Sequence, residues 1–159
     1  CYSAKYQQRR PTYIGCSVDK SWHSFSNFLS WSEAQDLADM HLDKDIIVQG
    51  NKVYGPDTCC YVRRDVNNYF NDNGAARGNL PMGVSLHRGK LQAQLNIAGK
   101  VKYLGLFALS DLEAAVAAYK AEKLAYGYVL AEEITDERIR RAFLLQANAK
   151  FGQLLLEVA

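Results

Sequence analysis

Between Asn73 and Ser110 the chain has no aspartate and no glutamate. Arg77, Arg88, Lys90, Lys100 and Lys102 fall in that window, together with His87. A protein whose formal net charge is only +2 therefore carries a locally basic segment. Such a bias is the footprint of a nucleic-acid contact or, more plainly, of a solvated face. No apolar run approaches the length of a membrane span, and no signal peptide is visible, so a membrane partner is not expected. None of the four cysteines, Cys1, Cys16, Cys59 and Cys60, has C-x-x-C spacing. The adjacent Cys59 and Cys60 would point to opposite faces of a strand, a poor chelate. Reduced thiols in an intracellular protein are the expectation. The chain opens at Cys1 without a methionine, so a longer N-terminus is expected. With 159 residues, 48% of them hydrophobic, it can bury one core or two small ones.

What is present concentrates first between Leu42 and Asn67. Leu42-Asp43-Lys44-Asp45-Ile46-Ile47 predicts a short strand ending in β-branched residues. Gly50-Asn51 and Gly55-Pro56-Asp57 are turn sequences. Lys52-Val53-Tyr54 and Thr58-Cys59-Cys60-Tyr61-Val62 favour extended structure. Arg63 to Phe70 predicts a helix, with Val66, Tyr69 and Phe70 at helical spacing. A strand carboxylate facing a helix amide is a workable cradle for one hard divalent cation, because Mg²⁺ takes oxygen ligands and keeps several waters. A cation held in that way stabilises the leaving oxygen of a phosphodiester. The same residues equally make a solvated Asp–Lys–Asp cluster and a turn asparagine.

This strand–loop–strand–helix stretch resembles the HNH, or ββα-metal, nuclease module of phage-encoded and homing-type endonucleases. The resemblance begins earlier, with Tyr13-Ile14-Gly15-Cys16-Ser17-Val18 followed by Trp22, Phe25, Asn27 and Phe28. It implies a metal-dependent DNA endonuclease in the cytoplasm of a bacterial host. Asp43 and Asn67 would be ligands of one Mg²⁺ or Mn²⁺, and Asn51 would brace the loop. Lys44 stands where the module has its general-base histidine. A lysine is protonated near neutral pH unless strongly desolvated, so it is a poor base. In this reading Lys44 would instead stabilise phosphorane charge. Asp45 would orient a metal-bound water or Lys44, and His41, two residues upstream of Asp43, would substitute as base.

Upstream, Lys5, Arg9 and Arg10 lie among Tyr2 and Tyr6, as an arm on phosphate or a frayed end. Thr12 to Val18 predicts a short strand. Trp22 to Met40 predicts one or two helices, with Ser24 as N-cap and Phe25, Phe28, Leu29, Ala34 and Leu37 as the apolar stripe. Trp22 and Trp31 are expected to pack. Asn71 to Gly78 is turn-rich and divides the chain near residue 75.

Beyond it, Gly83 to His87 and Lys90 to Ile97 alternate, with Arg88-Gly89 as the turn. Ala98-Gly99-Lys100 is a second turn, and Val101 to Gly105 a third strand. Leu91, Ala93, Leu95 and Ile97 share one face, and Lys90, Gln92, Gln94 and Asn96 the other. Ser110 is the expected cap of a helix through Leu112, Ala115, Val116, Tyr119 and Leu124, which must cover the apolar face. The uncovered face is then amide-rich and bordered by Arg88, Lys100 and Lys102. Amides pair with adenine edges, and cations with guanine or phosphate. Gly83-Val84, the hairpin, Lys102-Tyr103-Leu104-Gly105-Leu106-Phe107, Glu113-Ala114-Ala115, Ala118-Tyr119 and Gly127 resemble the Apetala-type DNA-binding domain. That resemblance implies double-stranded DNA as the partner.

Tyr128 to Ala159 predicts helix, with Thr135 as N-cap. This segment packs on the body or joins a homodimer through Leu154-Leu155-Leu156. The expected class is therefore α+β. An HNH-like module occupies residues 1–74, an Apetala-type sheet and helix 75–128, and a helical segment 129–159. Three functions follow: a metal-dependent endonuclease, a DNA-binding or regulatory protein with a degenerate HNH module, or a protein that binds a host protein.

Overall fold

The computed structural model describes residues 3–35, 39–71 and 79–152. These group into two units. The described residues up to Asn68, with Ile134–Phe143, form the first; Tyr69–Glu133, with the described residues from Leu144 on, form the second. The expected boundary near residue 75, Arg77, Leu37 and the Leu154-Leu155-Leu156 run lie outside the described residues. No described helix is long and apolar enough to cross a membrane.

The first unit opens with α1 (Ala4–Arg9), where Ser3 Oγ accepts the Tyr6 N–H at 3.3 Å. Pro11 then starts a 3-10 turn, Pro11–Tyr13. Its fixed φ suits a helical turn, and this shortens the strand expected over Thr12–Val18 to β1 (Ser17–Val18). A second 3-10 turn, Lys20–His23, leads into α2 (Phe25–Glu33), with Ser24 at the N-cap position but making no side-chain bond there. Trp22 packs on Trp31 at 4.6 Å and Phe28 at 5.1 Å between ring centroids, and Trp31 stacks on Tyr61. Phe25 sits at the edge of this cluster and remains 71% exposed, so the expected apolar stripe is only partly covered.

There follow β2 (Met40–Asp43), β3 (Val53–Tyr54), β4 (Cys60–Arg63) and α3 (Arg64–Asn68). β1 pairs with β3 in parallel, and β2 with β4 antiparallel, Asp43 opposite Cys60 and Met40 opposite Arg63. α3 packs against both β2 and β4. The strand expected over Leu42–Ile47 stops at Asp43, because the Asp43 side chain takes the amides that would have continued the ladder. Cys59 and Cys60 are both buried, and burial raises both thiols, Cys60 to about 12. They are inert, protonated core residues.

The second unit contains β5 (Val84–His87), β6 (Lys90–Ile97) and β7 (Lys100–Phe107), an antiparallel sheet in that order. Both hairpins turn in two residues, each with positive φ: Arg88 47° with Gly89 74°, and Ala98 50° with Gly99 82°. Such primed turns match the right-handed twist of the strands. α4 (Leu112–Glu132) lies across all three strands. Val84, Leu91, Ala93 and Ala115 form the buried centre, joined by Leu80, Leu104, Phe107 and Val116. Here the alternation in the sequence and the observed burial agree: Leu91, Ala93 and Leu95 are buried, while Lys90 and Asn96 are exposed. Gly83, at φ +78°, lies so close to Tyr119 that a Cβ would stand 1.8 Å from the ring.

Asp111, not the expected Ser110, occupies the cap position of α4; Ser110 Oγ donates to Asp111 Oδ1 at 2.8 Å. α5 (Glu137–Phe151) is capped by Asp136 in place of the expected Thr135, its Oδ1 accepting the Arg138 and Ile139 N–H groups at 2.8 and 3.3 Å. A carboxylate at either position answers the partial positive charge of the helix start.

Candidate functional site

Asp43 is only 7% exposed. Its Oδ1 accepts two backbone N–H groups, from Asp45 and Ile46, each at 2.7 Å. The side chain thus closes the turn that follows β2. Burial pushes its carboxyl above the ordinary value, against the pull of the Ile46 and Asp45 amides, and the Asp45 charge adds to the rise. Lys44 is turned to its neighbour, Nζ donating to Asp45 Oδ2 at 2.9 Å. Asn51 spans the base of the loop: its Nδ2 donates to the Lys44 carbonyl at 2.6 Å and the Val53 carbonyl at 2.7 Å, and its Oδ1 accepts the Val53 N–H at 3.0 Å. Asp43, Lys44, Asp45 and Asn51 are therefore gathered into one self-bonded loop.

His41 and Asn67 do not join that network. His41 is exposed on β2 opposite Val62, and Asn67 is half-buried on α3; neither side chain makes a hydrogen bond within the described residues. Among the described residues no group of three or more His, Cys, Asp or Glu side chains lies close enough to hold a metal ion. Nor, among them, is any buried side-chain oxygen or nitrogen left without a partner.

The sheet presents a different surface. Gln92 and Gln94 are successive outward residues of β6, and their amides bond each other, Gln92 Nε2 to Gln94 Oε1 at 2.7 Å. Asn96 Oδ1 accepts the Gly99 N–H at 2.9 Å and so ties the row to its turn. Lys90 stands opposite His87 at the other end, beside the Arg88 turn. Lys90, His87 and Arg88 are exposed, and their side chains make no hydrogen bond or ion pair within the described residues.

Lys100 and Lys102 depart from expectation. The register slips between Ala93 and Gln94: Ala93 faces Gly105, yet Gln94 faces Tyr103. Leu104 is the extra residue of a β-bulge. Without it, Leu104 and Lys102 would flank Gln94 and Asn96. With it, Tyr103 and Val101 take those places, while Lys102 comes opposite Leu95 and Lys100 opposite Ile97, on the helix side. Lys102 Nζ accordingly donates to Glu122 Oε1 of α4 at 2.6 Å. Lys100 remains exposed at the turn. Leu104 packs on the core.

The bulge thus puts Val101 (62% exposed) and Tyr103 (57%) beside the amides of β6, in line with Leu106 (46%) opposite Gln92. Sequence alternation alone missed these three. The available signal was Gly105, a glycine inside a strand pattern, which adopts φ 144° here.

A further buried charge lies in the second unit. Lys123 is 8% exposed, with Nζ 4.2 Å from the centre of the Tyr69 ring and 5.9 Å from that of Phe151. Tyr69 Oη donates to the Lys123 carbonyl at 2.7 Å and crosses Gly127, where a Cβ would stand 2.5 Å away. Burial, helped by the Lys150 charge, lowers the Lys123 ammonium to about 8.

No protein-family model matches the chain, and no curated protein and no solved structure matches it either.

Proposed function

We propose that this chain binds double-stranded DNA through the uncovered face of β5, β6 and β7, and that the loop around Asp43 serves the fold rather than catalysis. The observation that carries the first part is the Gln92, Gln94 and Asn96 row on a sheet whose other face is covered by α4. Lys90 and Arg88, whose side chains have no partner within the described residues, stand at one end of that row, and no acidic residue occurs from Asn73 to Ser110. Two-stranded and larger β surfaces enter the major groove, where amides pair with adenine and cations meet phosphate. The resemblance to the Apetala-type domain agrees with this reading.

The second part rests on where the bonds of the loop go. Asp43 Oδ1 is engaged by two amides, Asn51 by the loop, and Lys44 by Asp45. Lys44 Nζ is therefore turned to a carboxylate of its own loop rather than offered to a substrate. In this reading the HNH-like segment is degenerate.

A second reading keeps the nuclease. It is favoured by the β2, β4, α3 order with α3 packed on both strands, and by Asn67, whose amide has no partner within the described residues. Asp43 and Asn67 would then hold one Mg²⁺ or Mn²⁺.

A gel shift on duplex DNA, run beside a supercoiled-plasmid assay with Mg²⁺, Mn²⁺ or EDTA, separates the two. Binding without nicking in any metal is the expected result. Metal-dependent nicking that disappears in Asp43→Asn establishes the nuclease reading. Absence of both activities removes DNA as the partner and leaves a host protein.

A further inference from the structure

The bulge at Leu104 gives the exposed sheet face two unlike rows. Along β6 run the amides Gln92, Gln94 and Asn96. Along β7, opposite them in register, run Leu106, Tyr103 and Val101. Cross-strand partners have their Cβ atoms about 4.5–5.5 Å apart, so each amide has an apolar neighbour at its side. The apolar row is well exposed, and the cations Arg88 and Lys90 lie at one end of the strands rather than within it.

An A·T pair shows the same juxtaposition in the major groove. Adenine offers N7 and the N6 amino group, which an amide pairs bidentately, and thymine offers its 5-methyl group, which only an apolar side chain rewards. A G·C pair offers no methyl, and its guanine O6 and N7 ask for a cation, which the middle of this face lacks. Resting on the DNA-binding reading above, we propose that this face selects A·T-containing duplexes by direct contact with thymine methyl groups. Leu106, Tyr103 and Val101 make those contacts, and Gln92 and Gln94 read the adenines. Charge complementarity commits the face to a polyanion: the rim is cationic and the acids are absent from the whole segment. The apolar row then accounts for what phosphate contact alone would leave unused.

The test uses the full chain in EDTA. Duplexes are selected from a random pool, and the best one is remade with deoxyuridine in place of each thymine in turn, which removes one methyl and leaves the pairing unchanged. The expected result is an A·T-containing site in which at least one thymine loses about fourfold in affinity when its methyl is removed. A Leu106→Ser, Tyr103→Ser double variant, checked for an unchanged far-ultraviolet spectrum and melting curve, should bind the thymine and deoxyuridine duplexes equally. A selected site that binds equally well with deoxyuridine throughout overturns the methyl recognition while leaving DNA binding intact. Undiminished sensitivity in the double variant overturns the assignment of these side chains. A pool from which no duplex is retained removes the DNA-binding reading, and this inference with it.

Discussion

Around Asp43, four polar residues are bonded inward to their own loop; on the sheet, the Arg88 and Lys90 side chains have no partner within the described residues, and the amides beside them bond only to one another or to a turn. Both regions look equally functional as strings of Asp, Lys, Asn and Gln. They differ in where the hydrogen bonds go. A buried carboxylate that accepts two amides is part of the backbone's own bonding, and removing it leaves donors without acceptors. An exposed amide beside an exposed apolar side chain has no such duty. Its arrangement is kept by the strands, and its chemistry is open to a partner.

The contrast can be broken by substitution. The largest effect is expected at Gly83. Gly83→Ala drives a methyl into the Tyr119 ring at a backbone angle that L residues resist, and should cost the second unit about 3 kcal/mol or more. A urea melt in which this variant equals the parent would mean that sheet and helix are not packed as described.

Next comes Asp43. Asp43→Ala strands two amides and should cost about 2–3 kcal/mol, whereas Asp43→Asn keeps an acceptor oxygen and should stay within about 1 kcal/mol of the parent. The pH dependence sharpens this. The folded carboxyl titrates above its unfolded value, so its contribution to stability is fully present below the unfolded value and is lost as pH rises through the folded one. The parent should therefore gain on Asp43→Asn as pH falls from neutral. Equal pH profiles in thermal melts would contradict the buried carboxyl.

On the sheet, Gln92→Ala with Gln94→Ala should lower sequence discrimination by about 1–3 kcal/mol for each bidentate amide–base pairing removed, read from affinities for selected and scrambled duplexes. Unchanged preference takes the amide row out of the interface.

Lys123 gives a comparable figure by another route. Its folded value of about 8 lies below the unfolded 10.5, so between them the unfolded chain binds the extra proton and stability rises with pH. The rise should reach about 2 kcal/mol after allowance for solvent screening. Lys123→Met should abolish it and stabilise the neutral-pH protein. A melt series without that rise would place the ammonium in water.

The smallest effect separates the lysines. Arg88→Ala and Lys90→Ala should each reduce the salt dependence of DNA binding by about one counterion. Lys102→Ala, already paired with Glu122, should leave the salt slope alone and cost at most about 1 kcal/mol of stability. Equal slopes for all three would put Lys102 on phosphate.

Much of the second unit is legible without coordinates. Period-two alternation from Leu91 to Ile97 assigns a buried and an exposed face, because a strand side chain has only two directions to take. Arg88-Gly89 and Ala98-Gly99 mark the turns, because glycine accepts the positive φ that a primed turn imposes. The first unit is less legible. Its strands hold two to four residues, too short for a period to register. Pro11 turned an expected strand into a 3-10 turn, and Asp43 ended another with its own side chain.

Composition and order were thus enough to yield a mixed α+β chain, a three-stranded antiparallel sheet under a helix, and an amide row on that sheet. They were not enough to assign the neighbours of the row. One unpaired residue, Leu104, exchanges Lys102 for Tyr103 and Val101 on the exposed face. Register depends on which cross-strand pairings bury the most apolar surface at once. That is a property of three strands and a helix together, and Leu104 settles it by turning into the core beside Val84 and Leu91.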